Sequence, residues 1–209
     1  MFYDFLKRAL DIVGATLGII LLFPILLIFA ILIKFNSPGP ILADTPMRVG
    51  KEGRLFKMYK FRSMVVDALK ILQKDPELLK QYKKNSFKIE NDPRVTGVGK
   101  FIRKFSIDEL PQLWNIFKGE MSIVGPRAYY PFELAEQQKK YPNSKEFVKI
   151  ILSAKPGLTG VWQVSGRSQI NFDKRVEMDA QYVQRRSILY DIYLILRTVP
   201  AVLLGRGAV

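Results

Sequence analysis

Neither histidine nor cysteine occurs among the 209 residues. That excludes Ser-His-Asp and Cys-His triads, thiol redox chemistry, disulfides and the usual zinc sites together. Gly-rich nucleotide loops of the Walker or Rossmann kind are missing too, as are internal repeats and low-complexity tracts. Acidic residues are scarce: 19 Asp+Glu stand against 33 Lys+Arg, for a formal charge of +14 and a pI near 9.9. An enzyme with this composition draws on carboxylates, hydroxyls, Lys, Arg, backbone amides and a hard cation such as Mg²⁺, which takes oxygen ligands. The charge calls for a phosphate-bearing partner: a nucleotide, a nucleic acid or an anionic lipid head group. Hydrophobic residues make up 48% of the chain, which excludes global disorder. The length suits one ordinary domain with an appendage, or one large domain.

The charge is unevenly spread. Residues 1–47 are neutral overall, residues 48–104 carry 16 basic and 6 acidic side chains, and residues 105–209 carry 14 and 10. Ahead of the basic segment, Ile12 to Ile33 form 22 residues without a charge. That reaches the ~20 residues needed to cross a ~30 Å hydrocarbon core as a helix. It is too long for a cleavable signal and no small-residue cleavage site follows it. Pro24 stands in the middle, where it deletes a backbone hydrogen bond and clashes with the preceding turn, so a kink or break is expected there. Lys7 and Arg8 precede the run and Lys34 follows it. Basic flanks belong on the cytoplasmic side. A helix that enters, bends at Pro24 and returns satisfies both flanks, so the sequence favours a re-entrant form over a straight span. Gly14 and Gly18 make a GxxxG spacing, which hints at close helix packing and leaves a homodimer open. Asn36-Ser37-Pro38-Gly39-Pro40 is a turn signal and divides a membrane part, residues 1–36, from a catalytic part, residues 37–209.

Residues 54–62, RLFKMYKFR, alternate roughly between apolar and basic side chains, as in a half-buried strand or an interfacial segment. A solvated basic face and direct ligand contact are both open readings for these residues; Arg62 is carried forward as a substrate contact. Residues 63–84 read as a helix broken near Asp75-Pro76, whose leucines and valines suit a head-group layer beneath lysines.

The densest signal runs from Asn91 to Arg127, NDPRVTGVGKFIRKFSIDELPQLWNIFKGEMSIVGPR. Ser106-Ile107-Asp108-Glu109 opens a helix expected to run to about Phe117 and to end at Gly119. The spacing Ser-x-x-Glu is a capping box, which alone would explain Glu109. A second reading uses the same physics. A carboxylate among free helix-terminal amides stays ionised, and ionised carboxylates are nucleophiles and ligands for hard cations. Adjacent side chains point in different directions, so one can attack while the other holds Mg²⁺. Arg103 and Arg127 can clamp phosphate oxygens in bidentate fashion. Carboxylate, metal and arginines together are what phosphoryl transfer requires.

With SIDELPQLWNIFKGEMSIVGPR, the preceding DPRVTGVGKFIRK, the later KPGLTGVWQVSGR and the opening KRALDIVGATLGIILLFPILLIFAILIK with SPGP and FKMYKFRSM, the chain resembles the bacterial monotopic phosphoglycosyl transferases, or bacterial sugar transferases, from about residue 7 to 207. The resemblance implies a mainly α fold with a small β component. It has a re-entrant N-terminal membrane helix–break–helix hairpin, amphipathic interfacial helices and a compact cytoplasmic catalytic domain. It implies transfer of a sugar-1-phosphate from a UDP-sugar to undecaprenyl phosphate at the cytoplasmic face of a bacterial inner membrane, with release of UMP. On that pattern Asp108 is the nucleophile that forms a covalent phosphosugar ester, Glu109 helps bind Mg²⁺, and Arg103 and Arg127 contact phosphates. Two departures are visible: Phe23-Pro24 stands where the family has Ser-Pro, and Arg127-Ala128 where it has Arg-Pro.

The C-terminal motif has two readings. KPGLTG is either a backbone hairpin with Trp162 as core, or a loop beside the nucleotide sugar with Lys155, Gln163 and Arg167 as polar contacts; the resemblance favours the second. Asp179 either supports the metal or ligand site or pairs with Arg175 or Arg186, and the pairing is the simpler reading. Residues 188–204 are apolar but interrupted by Asp191, Arg197 and Pro200, so they read as a packed or interfacial helix. The wording VWQVSGR leans to members that handle a hexose such as galactose or glucose. The rival from another class is a non-catalytic, membrane-anchored basic protein that binds nucleic acid or anionic lipid. It leaves the dyad, the arginines and the KPGLTG loop unexplained, so nucleic acid is not expected as a partner.

Overall fold

The apolar run folds as one helix, α1 (Phe2–Asn36), 35 residues long, with Pro24 inside it. The computed structural model of the chain describes residues 2–84, 89, 91–166 and 170–204. The break expected at Phe23-Pro24 is not an end of helix. A proline removes one hydrogen bond, and both halves of α1 are held by packing onto the same body. In the first half Ala15, Ile19 and Leu22 meet Leu113, Ile116 and Met121; in the second, Ile33 with Leu26, Phe29 and Ala30 meets Phe61 and Ile102. The most apolar window of α1 is only 6% buried, so it is no core helix of a water-soluble body. Gly14 and Gly18 are notches for the chain's own side chains: a Cβ on Gly14 would stand 2.5 Å from Ile123 Cδ1, and one on Gly18 3.2 Å from Leu113 Cδ1. The GxxxG spacing is thus used inside the chain.

Lys7 and Arg8, read in sequence as flanking charges, are tied into the body. Lys7 Nζ lies 2.8 Å from Asp191, and Arg8 donates to the carbonyls of Ile116 at 2.7 Å and Phe117 at 2.8 Å. Those carbonyls sit at a helix C-terminus, where free acceptors and the negative dipole end attract a cation. Asp11 accepts from Ser122 Oγ and from the Ile123 amide, both at 2.9 Å.

The basic segment forms less strand than its alternation suggests. β1 (Arg48–Val49) pairs antiparallel with β2 (Leu55–Phe56). Beyond it the chain runs under a helix, where Asn115 takes the place of a neighbouring strand: its Oδ1 accepts from the Tyr59 amide at 2.9 Å and its Nδ2 donates to the Lys57 carbonyl at 2.8 Å. Next come α2 (Ala68–Lys74) and α3 (Pro76–Lys84). They part at Asp75-Pro76 as expected, with Asp75 Oδ1 accepting from the Leu78 amide at 3.0 Å. α4 (Gly97–Lys104) is capped by Thr96, whose hydroxyl accepts from the Gly99 amide.

The expected helix from Ser106 to Phe117 is divided. Ile107–Glu109 is a single 3₁₀ turn, and α5 (Gln112–Lys118) starts after Pro111 and ends at Gly119, φ +85°. Proline lacks an N–H and suits only the first turn of a helix, so α5 begins there.

β3 (Ser122–Val124) is followed by α6 (Pro131–Lys140) and α7 (Lys145–Leu152), and then by β4 (Gly157–Thr159), which pairs parallel with β3. KPGLTG is therefore the return strand of a crossover and makes no hairpin. Its glycines permit backbone-to-backbone contact: a Cβ on Gly125 would stand 2.5 Å from the Lys155 carbonyl oxygen and 2.7 Å from the Gly157 nitrogen. α8 (Val161–Ser165), α9 (Phe172–Arg185) and α10 (Ile188–Leu203) complete a mainly helical fold with a small sheet component. Leu196, Val199 and Leu203 on α10, like Ile20, Leu21 and Phe23 on α1, are exposed.

Candidate active site

The dyad stands on the 3₁₀ turn ahead of α5. Ser106 before it is left-handed, φ 54°, and its side chain makes no capping bond. The capping box read from Ser-x-x-Glu is absent. Glu109 Oε1 instead lies 2.7 Å from Lys60 Nζ, and the same ammonium is 3.6 Å from Asp108 Oδ2. The Asp108 carbonyl accepts from the Phe61 amide at 2.9 Å, which ties the turn to the segment carrying Lys60.

Burial sets the electrostatics. Asp108 is buried, which pushes its pKa up; Lys60 and Arg103 oppose that rise while Glu109 adds to it. Burial alone would lower Lys60, but Glu109 and Asp108 reverse this and hold it above its usual value. Lys60 is therefore a permanent cation between two carboxylates. Arg103, on the last turn of α4, donates to Ser63 Oγ at 2.9 Å, and Asp108 is the carboxylate acting on it most strongly.

A second layer lies around Arg127. Its amide donates to Asp179 Oδ2 at 2.9 Å, and its guanidinium lies 5.0 Å from the Trp162 ring and 5.7 Å from the Tyr129 ring. Arg48 stacks 3.3 Å over the Tyr130 ring and donates to the Ala128 carbonyl at 3.1 Å. The Arg175 guanidinium also lies over Trp162, 4.9 Å from the ring centroid. Glu109 contributes to the field at both Arg48 and Arg127.

This layer contains the buried side-chain polar atoms that lack a partner among the described residues. The donors are Nε of Arg48, Arg127 and Arg175, Nε1 of Trp162 and the Tyr129 hydroxyl; the acceptors are Gln163 Oε1 and Asp179 Oδ1. Buried polar groups are nearly always satisfied, so a donor-rich set gathered on neighbouring side chains fits a polar, anionic ligand.

Of the residues expected from sequence, Asp108, Glu109 and Arg103 come together, with Arg127, Gln163 and Asp179 in the adjoining layer. Arg62 is put to another use: its guanidinium donates to the Pro40 carbonyl, Ser37 Oγ and the Ser37 carbonyl at 2.6–2.8 Å, which staples the turn after α1 to the body. Lys155 lines a separate cavity beyond the other end of α5. Arg167 lies outside the described residues. Asp179 pairs with neither Arg175 nor Arg186 in an ion pair; its bond is to the Arg127 backbone. Arg48 and Arg175 carry no motif of their own; Lys60 lies within FKMYKFRSM, whose alternation left a solvated basic face and ligand contact equally open.

No group of three or more Asp or Glu gathers as a cation cage among the described residues. Two adjacent carboxylates nevertheless fit Mg²⁺, which usually takes one or two carboxylates and fills its shell with water and substrate phosphates.

Asp179 is fully buried, which pushes its pKa up to about 7 against the opposing Arg127 amide and the guanidiniums of Arg175 and Arg127. A carboxyl raised in the folded state contributes stability that is complete below the unfolded pKa of about 3.9 and is lost as pH rises through the folded value. The thermal midpoint should therefore fall between about pH 4 and pH 7 for this group, and Asp179→Asn should flatten that fall. Melting curves of both proteins at matched pH values check it; parallel curves would refute it.

A family model described as bacterial sugar transferase matches residues 2–205. The UDP-galactose-lipid carrier transferase of Erwinia amylovora is 43% identical over 98% of this chain and 42% of its own length. The undecaprenyl-phosphate galactose phosphotransferase of Salmonella typhimurium is 42% identical over 98% of this chain and 42% of its own. The exopolysaccharide production protein ExoY of Sinorhizobium fredii is 42% identical over 97% of this chain and 87% of its own. The chain thus spans about two fifths of the first two relatives and most of the third.

Proposed function

This chain belongs to the bacterial sugar transferase family, and from that premise we propose that it is a monotopic phosphoglycosyl transferase. It moves a hexose-1-phosphate, galactose or glucose, from a UDP-sugar to undecaprenyl phosphate as a membrane step of surface polysaccharide assembly. The observation that carries the reading is the pair of carboxylates held on Lys60, at 2.7 and 3.6 Å, beside a buried layer of unpartnered donors.

In the first half-reaction an Asp108 carboxylate oxygen attacks the sugar-bearing phosphorus. The new bond is Asp108 O–P; the bond that breaks joins that phosphorus to the bridging oxygen, which leaves with its electron pair on UMP. In the second, an oxygen of undecaprenyl phosphate attacks the same phosphorus and the Asp108 carboxylate departs. Lys60 keeps Asp108 ionised and aimed, while Arg103 and Arg127 meet the phosphate oxygens. Glu109, with Asp108, would hold Mg²⁺, which supplies charge neutralisation to the diphosphate when bound.

The membrane reading is a shallow, re-entrant anchor on the cytoplasmic face of the inner membrane. Arg8 near one end of α1 and Ile33 near the other both dock on the same body, and a membrane-spanning path would set those ends apart. The rival basic-binder reading gives no role to Arg48, Arg62 and Arg94 of the basic segment, which are at most 6% exposed.

The test is UMP release by the detergent-purified chain. UMP should appear with UDP-galactose or UDP-glucose plus undecaprenyl phosphate and Mg²⁺, and should fall to background with a chelator. No release with any UDP-sugar tested, from a folded protein, would refute the reading.

A further inference from the structure

A cavity of about 260 Å³ lies beyond the C-terminal end of α5, with Arg8, Lys51 and Lys155 in its wall. The dyad precedes the first residue of α5, so the length of that helix separates the two sites. Arg8 and Lys155 are held close: both the Arg8 guanidinium carbon and Lys155 Nζ come within 3.4 Å of the single point where a Cβ on Gly119 would stand. Lys7 and Arg186 add two more cations to the wall.

Two of the three carboxylates nearby are in ion pairs. Asp191 pairs with Lys7 at 2.8 Å and Asp4 with Arg186 at 3.4 Å. Asp11 accepts from Ser122 and Ile123 through one oxygen. Lys155 has no ion pair within 4 Å among the described residues; burial together with Arg8 and Lys51 lowers its pKa, and Asp11 opposes that fall. Lys51 pairs with Glu52 at 3.5 Å, but five cations against the carboxylates of Asp4 and Asp11 leave the wall with an excess of positive charge around a void large enough for a phosphate group.

One wall of the cavity leads into apolar sequence. Asp11 in the wall is followed directly by Ile12, the first residue of the uncharged run. Ile12 and Val13, which follow the wall on α1, are 39% and 55% exposed. A cationic hollow walled by the first turns of α1, the helix that passes from polar to apolar sequence at Ile12, matches an amphiphile with an anionic head.

We propose that this cavity seats the phosphate of an acidic phospholipid head group, separately from the catalytic dyad. The proposal rests on the membrane-anchored reading and deepens it, because it turns general attraction to anionic lipid into one defined site.

The full chain, purified in neutral detergent, is titrated with phosphatidylglycerol and with phosphatidylcholine, and bound lipid is counted by native mass spectrometry. Phosphatidylglycerol should bind and phosphatidylcholine should not. Lys155→Met should weaken phosphatidylglycerol binding at least tenfold, and Lys155→Arg should restore it to within about threefold, which separates lost charge from lost folding. Asp108→Asn should bind as the parent does, which sets this seat apart from acceptor binding at the dyad. Inorganic phosphate should compete only at far higher concentration. Equal retention by Lys155→Met, equal binding of the two lipids, loss of binding in Asp108→Asn, or phosphate binding without lipid binding would each overturn the proposal. A chain that binds lipid in this way but releases no UMP would sink the transferase reading and leave the seat intact.

Discussion

Asp108→Asn should release no UMP above background and should form no adduct, while its fold should survive. The substitution keeps shape and removes the attacking oxygen's charge, so the first half-reaction has no nucleophile; loss of at least about 10³-fold in turnover is expected. Stability moves the other way. Burial raises the Asp108 pKa in the folded chain. Stability from such a group is complete below its unfolded pKa and drains away as pH rises through the folded one. Once ionised, the buried carboxylate of the parent disfavours folding, and the neutral asparagine does not. The thermal midpoint of Asp108→Asn at pH 8 should equal or exceed the parent's. A residue acting only as a helix cap would instead cost about 1 kcal/mol of stability and leave turnover intact. The decisive companion is mass spectrometry of the parent incubated with donor alone, which should show a hexose phosphate on Asp108. A folded Asp108→Asn protein with near-parental turnover would end the mechanism.

Lys60→Met should be nearly as damaging, in a way that depends on pH. Lys60 opposes the burial-driven rise of the Asp108 pKa and contacts both carboxylates. Without it, Asp108 ionises only at higher pH and Glu109 repels it without compensation. Removing one such preorganised cation should cost about 10²–10³-fold in turnover. The acid limb of the pH–rate profile should shift upward, so the loss is largest at low pH and shrinks on the alkaline side. Lys60→Arg should keep the limb near its original place, because the charge remains. A uniform loss across pH, with no movement of the limb, would mean that Lys60 merely supports the fold.

The two predictions draw on different layers of information. Asp108 and Glu109 stood out in sequence as two adjacent carboxylates between a basic helix and a GPR turn, and their proposed roles come from the resemblance. Arg103 and Arg127 followed from the same logic. Lys60 was not legible as a member of the site: nothing in RLFKMYKFR distinguishes it from Lys57, whose amine instead meets Asp44 near the surface at 3.2 Å. Arg62 misled for the same reason, since local alternation says that a side chain faces inward without saying what it meets there. The capping box misled because Ser-x-x-Glu is a short-range pattern, and Lys60, distant in sequence, competed for the glutamate and won with a charge-assisted bond. Trp162 and Asp179 could be placed on a loop and a helix from sequence, but their assembly around Arg127 depends on the parallel pairing of β3 with β4.

By itself, the sequence determined the long uncharged helix, the separation of α2 from α3 at Asp75-Pro76, the glycine stop after α5 and the residue types available for chemistry. These depend on period, proline, glycine and charge, which act within a few residues. Only the tertiary structure decided which cation holds the dyad, that Lys7 and Arg8 anchor α1 to the body, and that Lys155 faces a different cavity from Asp108. Those outcomes depend on burial, because a charged group taken out of water must find its partner wherever the fold brings one, however far away in the chain.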